Sequence, residues 1–385
     1  MTTVRKIFAK TVYDSFSDEP LQDQLVSIEN GLIIKIETVK RSTNTKGLFT
    51  AEILAPGFID LQINGAGDVM FNDSPSLETL EKMARAARAG GTAHLLPTFT
   101  TARNREFSTA LSATLNAVKL GLPGILGVHL EGPFLSPQKP GIHPASCIRR
   151  IDEYDLRILL GTAPGSKLIT LAPEEDKIGA IKQLTEAGWT VFAGHSNATL
   201  AEMKISRDNG LSGATHLFNA MSQITVREPG LVGFVLNTPQ IFAGIIVDGF
   251  HVHQGNVQMA YDLMGPDRLF VVTDAMQTLG GKSTGFDMAG NSITLREGRL
   301  IDKHGTLSGA HLAMDQAVQN LVFSMGIPVE NAIKMASTTP AAVLGLDHEL
   351  GQIRPGFRAS LTILDQSLSS LDVLVDGLLF QHSFK

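Results

Sequence analysis

Residues 191–217 read Val-Phe-Ala-Gly-His-Ser-Asn-Ala-Thr-Leu-Ala-Glu-Met-Lys-Ile-Ser-Arg-Asp-Asn-Gly-Leu-Ser-Gly-Ala-Thr-His-Leu and are the most informative part of the chain for its architecture. Residues 191–195 and 213–217 are short apolar runs with the length of buried β-strands, and Leu200–Asp208 between them has a helical pattern. A strand, a helix and a second strand in so short a space predict a βαβ unit with parallel strands. The first of these runs ends at a histidine and the second contains one near its end.

The same alternation continues through the middle of the chain. Strand-like runs recur about every 30 residues, which is the spacing of a (β/α)₈ barrel. The eight predicted strands are 57–62, 93–98, 125–131, 168–172, 191–195, 213–217, 242–248 and 269–274. Predicted helices include 76–89, 104–120, 176–187, 200–208 and 256–264. A hairpin around Glu297-Gly298 follows the eighth strand, and helices over 310–325 and 329–337 are predicted to close the barrel.

Both ends of the chain predict short β-strands around tight turns. Asn30-Gly31 and Asp376-Gly377 each adjoin β-prone runs, and both central residues of such hairpin turns take positive φ angles. Two β regions at opposite ends of a chain can pair only if the middle folds as an insertion between them. The sequence therefore predicts an α/β fold with a TIM barrel over residues 56–345 and a small β-sandwich domain from residues 1–55 and 346–385.

Composition restricts the classes of function. The chain has 385 residues, of which 43% are hydrophobic and 18% charged, so a disordered or fibrous protein is excluded. A net charge of −6 argues against nucleic-acid binding, which requires a surplus of Lys and Arg. The single cysteine, Cys147, excludes an internal disulfide framework and is expected to be a core or loop thiol. We see no signal peptide and no apolar run of membrane-spanning length, so we expect a cytoplasmic protein.

Polar side chains fall at or just beyond the carboxyl ends of most predicted strands. In a TIM barrel this rim is where catalytic groups collect. Each such residue is weak evidence alone, because a lone strand histidine is more often a core residue and a strand-ending carboxylate is commonly a helix cap. Their recurrence at corresponding positions is much harder to explain by chance: Gln62, Asn64, Glu131, His195, His216, Asp248, His251 and Asp274.

Three of these residues predict a metal site. Glu131, His195 and His216 supply one carboxylate and two imidazoles, and three protein ligands with an open fourth position are typical of a catalytic zinc. Iron(II) or another divalent ion would also suit this ligand set. The remaining positive charge of the ion would lower the pKa of a water, and Asp274 is placed to accept its proton and return it to the leaving group.

These residues lie within longer motifs that resemble the N-acetylglucosamine-6-phosphate deacetylase family of the amidohydrolase superfamily. The resemblance implies hydrolysis of N-acetyl-D-glucosamine 6-phosphate to D-glucosamine 6-phosphate and acetate in amino-sugar catabolism, with Asp274 as general base and then acid. The matching motifs run in family order and are specific as a set: Pro56-Gly57-Phe58-Ile59-Asp60, His129-Leu130-Glu131-Gly132-Pro133-Phe134, Gly194-His195-Ser196-Asn197-Ala198-Thr199, Thr215-His216-Leu217-Phe218-Asn219-Ala220-Met221, Arg227-Glu228-Pro229-Gly230, Asp248-Gly249-Phe250-His251, Thr273-Asp274-Ala275 and Leu307-Ser308-Gly309.

The resemblance also implies substrate contacts. His143 would polarise the amide carbonyl, and His143 and His251 would contact the sugar and the acetamido group. Arg227 would bind the phosphate from the neighbouring subunit, because a guanidinium offers a bidentate fork, and this arrangement implies a homodimer or a dimer-based oligomer. The other residues expected in the ligand shell are Ile142, Asn219, Ala220, Asp248, Leu307, Ser308 and Gly309.

One departure from the superfamily pattern concerns the first strand. Many amidohydrolases carry His-x-His there to hold a second metal, whereas this chain has Gln62 and Asn64. Neutral amides are poor zinc ligands, and we see no strand-ending lysine in the middle of the barrel that could be carbamylated to bridge two ions. We therefore expect one metal ion per subunit.

Three alternatives stay open. Deacetylases of N-acetyl-D-galactosamine 6-phosphate resemble the sequence almost as well, and the two sugars differ only in the orientation of one hydroxyl. A cyclic-amide hydrolase or a nucleobase deaminase would usually need the first-strand His-x-His. A non-catalytic sugar-phosphate-binding protein is disfavoured, because it would not need to retain the metal ligands together with Asp274.

Overall fold

The centre of the molecule is a barrel of parallel strands. The computed structural model describes residues 2–17, 19–39, 47–161, 165–288 and 290–381. Neighbouring barrel strands pair in parallel in chain order, and a parallel bridge between Ile63 and Ala275 joins the last segment to the first. The predicted TIM barrel is thereby confirmed. Its strands are Phe58–Ile63, Thr92–Thr100, Gly127–Glu131, Ser166–Leu171, Thr190–Ala193, Gly213–Ala214, Phe242–Ile245 and Leu269–Val271.

Helices cover the outside of the barrel. Every residue of Phe58–Ile63, Thr92–Thr100 and Gly127–Glu131 is buried, because one face of each strand meets helices and the other fills the interior. Side-chain caps start several helices, such as the reciprocal box of Thr199 and Glu202. The helices are Leu77–Arg88, Phe107–Lys119, Glu153–Leu160, Ala180–Glu186, Leu200–Asp208, Gly230–Asn237, Gln254–Met264, Met314–Gln319, Val329–Ala336 and Thr338–Val343, with a 3₁₀ turn at Pro173–Glu175 and a π-helical turn at Asn320–Ser324.

Strands from both chain ends form a second, separate sheet, as the sequence predicted. The two hairpins turn at Asn30-Gly31 and Asp376-Gly377, and all four turn residues have positive φ angles. The sheet encloses its own apolar cluster, which includes Ile7 and Leu361. The exact division of the chain at residues 56 and 345 stays a prediction. The strands are Thr2–Thr3, Lys6–Val12, Leu21–Glu29, Leu32–Thr38, Phe49–Pro56, Leu361–Leu364, Ser370–Val375 and Leu378–Gln381.

Beyond the eighth strand the chain forms a four-stranded antiparallel sheet around the predicted Glu297-Gly298 turn. Its strands are Gly285–Met288, Asn291–Arg296, Arg299–Ile301 and Leu307–Ala310. The helix predicted over 310–325 begins later, at Met314, because the last of these strands runs to Ala310. A further small pair, Gly65–Ala66 with Val69–Met70, follows the first barrel strand.

Several barrel strands end earlier than predicted, and the reason lies in the backbone. The predicted strands 191–195, 213–217 and 269–274 end at Ala193, Ala214 and Val271. Beyond them His195, His216 and Asp274 have φ angles of 48°, 34° and 49°. Positive φ angles are uncommon in residues other than glycine, although Asp and His adopt them more often than most. They persist where the surrounding structure enforces them. The chain leaves the extended conformation close to three of the residues that were predicted to form the site.

Candidate metal centre and active site

Glu131, His195 and His216 meet at the carboxyl-terminal rim of the barrel. Their ligand atoms lie within 4.8 Å of one another, and all three residues are buried. Glu131 Oε1 lies 2.9 Å from His216 Nε2 and 3.3 Å from His195 Nε2, and the two Nε2 atoms are 3.0 Å apart. The three residues come from three different strands, so only the barrel brings them together.

The ring of His195 is oriented for a metal by its other nitrogen. His195 Nδ1 lies 3.1 Å from the backbone carbonyl of Lys139, and a carbonyl can only accept a hydrogen bond. Nδ1 therefore carries the proton, and the lone pair of Nε2 points into the cluster. Metal-binding histidines are commonly fixed in this way.

The electrostatics of the cluster favour a positive charge. Burial would raise the pKa of Glu131, but the neighbouring imidazoles of His195 and His216 outweigh it and hold the pKa well below its ordinary value. Burial opposes protonation of His216, yet the bond to Glu131 and the charge of that carboxylate raise its pKa. One ionised carboxylate and two imidazoles in a buried site are a donor set that fits Zn²⁺ or Fe²⁺.

Asp274 lies beside this cluster and is held by two amides. Asn64 Nδ2 donates to Asp274 Oδ1 over 2.7 Å, and Gln62 Nε2 donates to the same oxygen over 3.2 Å. Gln62 Nε2 also lies 3.1 Å from Glu131 Oε1 and so bridges the two carboxylates. Burial, followed by the charge of Glu131, raises the pKa of Asp274 to about 6. A carboxyl group with this pKa can both take up and release a proton near neutral pH.

A buried carboxylate beneath the site anchors the segment before Asp274. Asp60 accepts hydrogen bonds from the backbone N–H and the hydroxyl of Thr273 and from the backbone N–H of Gln62. Asp60 belongs to the first-strand motif, but its partner lies 213 positions away, so the sequence did not reveal this function.

Two further histidines border the site. His143 is buried, its Nδ1 lies 2.8 Å from the hydroxyl of Thr101, and its ring meets that of His195 edge to face at 4.3 Å. Burial, and then the neighbouring His195, lower the pKa of His143 to about 3, so its imidazole is neutral. His251 Nδ1 lies 2.7 Å from Asp248 Oδ2, which orients the His251 ring.

A cavity of about 190 Å³ opens above the cluster. Four of its lining residues were not predicted: Thr100, Gly141, Ile246 and Met276. The predicted residues that line it are Asn64, Glu131, Ile142, His143, His195, His216, Asn219, Ala220, His251, Asp274, Leu307 and Gly309. Most of the predicted site is therefore assembled in one place.

Four predicted residues do not line this cavity. Gln62 lies behind it, Asp248 contacts it through His251, and Ser308 lines an adjoining cavity of about 410 Å³. Arg227 is exposed on the loop before Gly230–Asn237 and reaches none of these groups within its own chain. Among the described residues, no Lys or Arg lines the cavity.

A parallel α/β barrel that gathers a carboxylate, two imidazoles and a second carboxyl group of raised pKa at its rim has the architecture of a metal-dependent hydrolase. The sequence agrees with that class. Residues 53–379 match the sequence model of the amidohydrolase family, and the chain belongs to this family.

Two kinds of deacetylase are among the proteins that this chain resembles. The chain is 40% identical over 334 residues to an N-acetylgalactosamine-6-phosphate deacetylase of Shewanella sp. (strain ANA-3), covering 86% of this chain and 84% of that protein. It is 36% identical over 364 residues to an N-acetylglucosamine-6-phosphate deacetylase of Haemophilus influenzae, covering 93% and 94%. The crystal structure of N-acetylglucosamine-6-phosphate deacetylase from Pasteurella multocida superposes with a TM-score of 0.93 at 35% identity, covering 98% of this chain and 100% of that chain. Among the described residues, no helix is long and apolar enough to cross a bilayer.

Proposed function

We propose that this protein hydrolyses the acetamide of N-acetyl-D-glucosamine 6-phosphate to give D-glucosamine 6-phosphate and acetate. The observation that carries the proposal is the buried cluster of Glu131, His195 and His216 with Asp274 beside it. The similarity to deacetylases of phosphorylated amino sugars over most of the chain supports the substrate class.

Glu131, His195 and His216 would hold one divalent cation, for which Zn²⁺ is the first choice and Fe²⁺ the second. When bound there, the cation would act as a Lewis acid on the amide carbonyl and lower the pKa of the attacking water. The amides Gln62 and Asn64 occupy the positions where a second ion would need ligands. We therefore propose a single ion per subunit.

Asp274 is the proposed proton carrier. Its Oδ1 accepts from Asn64 and Gln62, which leaves Oδ2 to take a proton from the attacking water. The new bond joins the water oxygen to the carbonyl carbon. Asp274 then passes the proton to the amide nitrogen, the C–N bond breaks, and acetic acid and the amine leave; transfer of the remaining proton between them gives acetate and the protonated amine.

His143 is the proposed donor to the carbonyl oxygen. A neutral imidazole can donate from Nε2 if its Nδ1 accepts the hydroxyl proton of Thr101, which lies at 2.8 Å. The other acceptor for that hydroxyl, the Glu131 backbone carbonyl, is more distant at 3.5 Å. A donor aimed at the developing oxyanion contributes several kcal/mol in comparable sites, by order of magnitude.

The substrate phosphate needs a cation that the described lining residues of one chain do not supply. We propose that the protein is a homodimer in which Arg227 of the partner subunit binds the phosphate. The exposure of this arginine beside Val226, which is fully exposed, supports an interface at this loop.

N-Acetyl-D-galactosamine 6-phosphate is the second candidate substrate, favoured by the 40% identity to the Shewanella enzyme. A side-by-side measurement of kcat/KM on both sugar phosphates decides between them. The catalytic assignment is tested by Asp274→Asn, for which we expect a loss of turnover of roughly 10²- to 10⁴-fold with unchanged metal content. Near-normal turnover in this variant would refute the role of Asp274.

A further inference from the structure

The side-chain amide of Asn64 donates a hydrogen bond through its nitrogen, while its oxygen has no partner among the described residues. The residue follows the first barrel strand and is 1% exposed. Its Nδ2 donates to Asp274 Oδ1 over 2.7 Å. An ionised carboxylate has only acceptors, so this bond fixes which way the amide faces. The carbonyl oxygen Oδ1 of Asn64 therefore points away from Asp274.

That carbonyl oxygen is buried and has no hydrogen-bond partner among the residues that the structure describes. A buried acceptor without a partner costs free energy, so a native chain that keeps one usually completes it with water or a ligand. Asn64 also lines the cavity above the metal cluster, together with Glu131 and Asp274. The missing donor is therefore expected from whatever molecule occupies this cavity.

We propose that Asn64 Oδ1 accepts a hydrogen bond from the N–H of the acetamide that is cleaved. The inference rests on the proposed function. The N–H is the only donor in the amide group, because the carbonyl oxygen can only accept. Asn64 thus becomes a catalytic residue that contacts the substrate, in addition to holding Asp274.

The position of Asn64 explains how this contact would help the reaction. The nitrogen of its planar amide bonds Asp274, the proton carrier, and its oxygen would bond the leaving nitrogen of the substrate. Asp274 must deliver its proton to that same nitrogen, and a hydrogen-bonded frame that fixes donor and acceptor lowers the cost of alignment. After cleavage the amine gains further N–H donors, so the contact persists in the product.

Gln62 offers a matched control. It also presents an NH₂ group to Asp274 Oδ1, over 3.2 Å, and its Oε1 is likewise buried without a partner. Gln62 differs in that it does not line the cavity and instead bridges to Glu131. It is therefore a positioning residue, and its loss disturbs the carboxylates without removing a substrate contact.

The experiment compares Asn64→Leu with Gln62→Leu on two substrates. One is N-acetyl-D-glucosamine 6-phosphate, and the other is the 2-O-acetyl ester of glucose 6-phosphate, which has an oxygen in place of the N–H. We expect Asn64→Leu to lower kcat/KM at least tenfold more on the amide than on the ester. Gln62→Leu is expected to lower both by the same factor. Because the amide-to-ester ratio is taken within one preparation, it does not depend on how much of the variant is folded.

The possible results distinguish a failure of the Asn64 contact from a failure of the proposed function. An equal amide-to-ester ratio in wild type and Asn64→Leu overturns the contact while leaving the proposed function intact. Failure of the wild type, loaded with Zn²⁺ or Fe²⁺, to cleave the amide overturns the proposed function itself. If Asn64→Leu has no measurable activity, calorimetric binding of the two substrates to it replaces the kinetic ratio. If Asn64→Leu then binds amide and ester equally while Gln62→Leu still binds the amide more tightly, the contact is supported. If Asn64→Leu also binds the amide more tightly, the contact is refuted.

Discussion

Replacing His94 by glutamine is expected to change how the stability of the protein depends on pH. His94 lies on the strand Thr92–Thr100 at the end of the barrel away from the active site and is 1% exposed. Its Nε2 lies 2.8 Å from the Ser360 hydroxyl, which couples the barrel to the terminal sheet, and its Nδ1 has no partner within the described parts of the chain. Burial, and then repulsion from Arg358, lower the pKa of His94 to about 3 from an ordinary value of 6.5.

The sign and size of the effect follow from these two pKa values. Well above pH 6.5 the imidazole is neutral in both the folded and the unfolded chain, so protonation of His94 does not change the free energy of unfolding. Between pH 6.5 and pH 3 the unfolded chain binds a proton that the folded chain does not, and stability is lost as the pH falls. Each pH unit in this window is worth about 1.4 kcal/mol, so the loss between pH 7.5 and pH 5.0 is about 2 kcal/mol.

The assay is urea unfolding of wild type and His94→Gln at pH 7.5 and pH 5.0, each loaded with the same metal. The other buried histidines are present in both proteins, so their titration cancels in the comparison: His129, His143, His195 and His216. The free energy of unfolding of the variant relative to wild type is expected to rise by about 2 kcal/mol at the lower pH. A difference that stays constant between the two pH values would show that the folded protein accepts the charge on His94, and the reasoning would fail.

Two further predictions concern the metal and the barrel. Glu131→Gln is expected to lose its metal, measured as ions per chain by mass spectrometry, because one neutral oxygen replaces the only anionic ligand; His94→Gln should keep the wild-type content. Metal retained by Glu131→Gln would place the ion elsewhere. Gly127→Ala is expected to destabilise the protein by about 3 kcal/mol in thermal or urea unfolding, because a Cβ there would lie 1.8 Å from the Ser166 carbonyl oxygen. Gly161→Ala is the control, because its Cβ would meet no atom closer than 3.3 Å. This variant should change the free energy of unfolding by less than about 1 kcal/mol. Equal stabilities would contradict the close packing of these strands.

The elements that were predictable from sequence are those with a local cause. The helix Leu200–Asp208 was predicted to the residue from its helical pattern, and the structure shows that its start has a local cause, the capping box of Thr199 and Glu202. The hairpins at Asn30-Gly31 and Asp376-Gly377 followed from the turn residues. Strand ends were overestimated where an apolar run continued past the point at which the backbone turns, as at His195. A positive φ angle at a histidine leaves no mark in the pattern of apolar residues.

The residues of the site also differ in whether their positions could be predicted from the sequence. The metal cluster could be predicted because strand ends in a barrel share one rim, so position along the chain translates into position in space. The partners that orient the site could not be predicted in this way. Thr101 holds His143, and the Lys139 carbonyl holds His195, but both contacts depend on where a long loop packs. The exposed Arg227 cannot be assigned to a site from one chain at all, since its proposed ligand lies in a second copy.

The two amides, Gln62 and Asn64, bear on the proposal that a single ion serves this reaction. Glu131 is buried and Asp274 is partly buried beside it, and desolvation followed by the charge of Glu131 raises the pKa of Asp274 to about 6. A second cation between them would favour the ionised form of Asp274 and lower that pKa, which would weaken it as a proton donor to the amine. Gln62 donates to both carboxylates and holds them together with a neutral dipole instead. A neutral partner at Gln62 therefore adds no charge that would lower the proton affinity of Asp274, the group proposed first to accept a proton and then to release it.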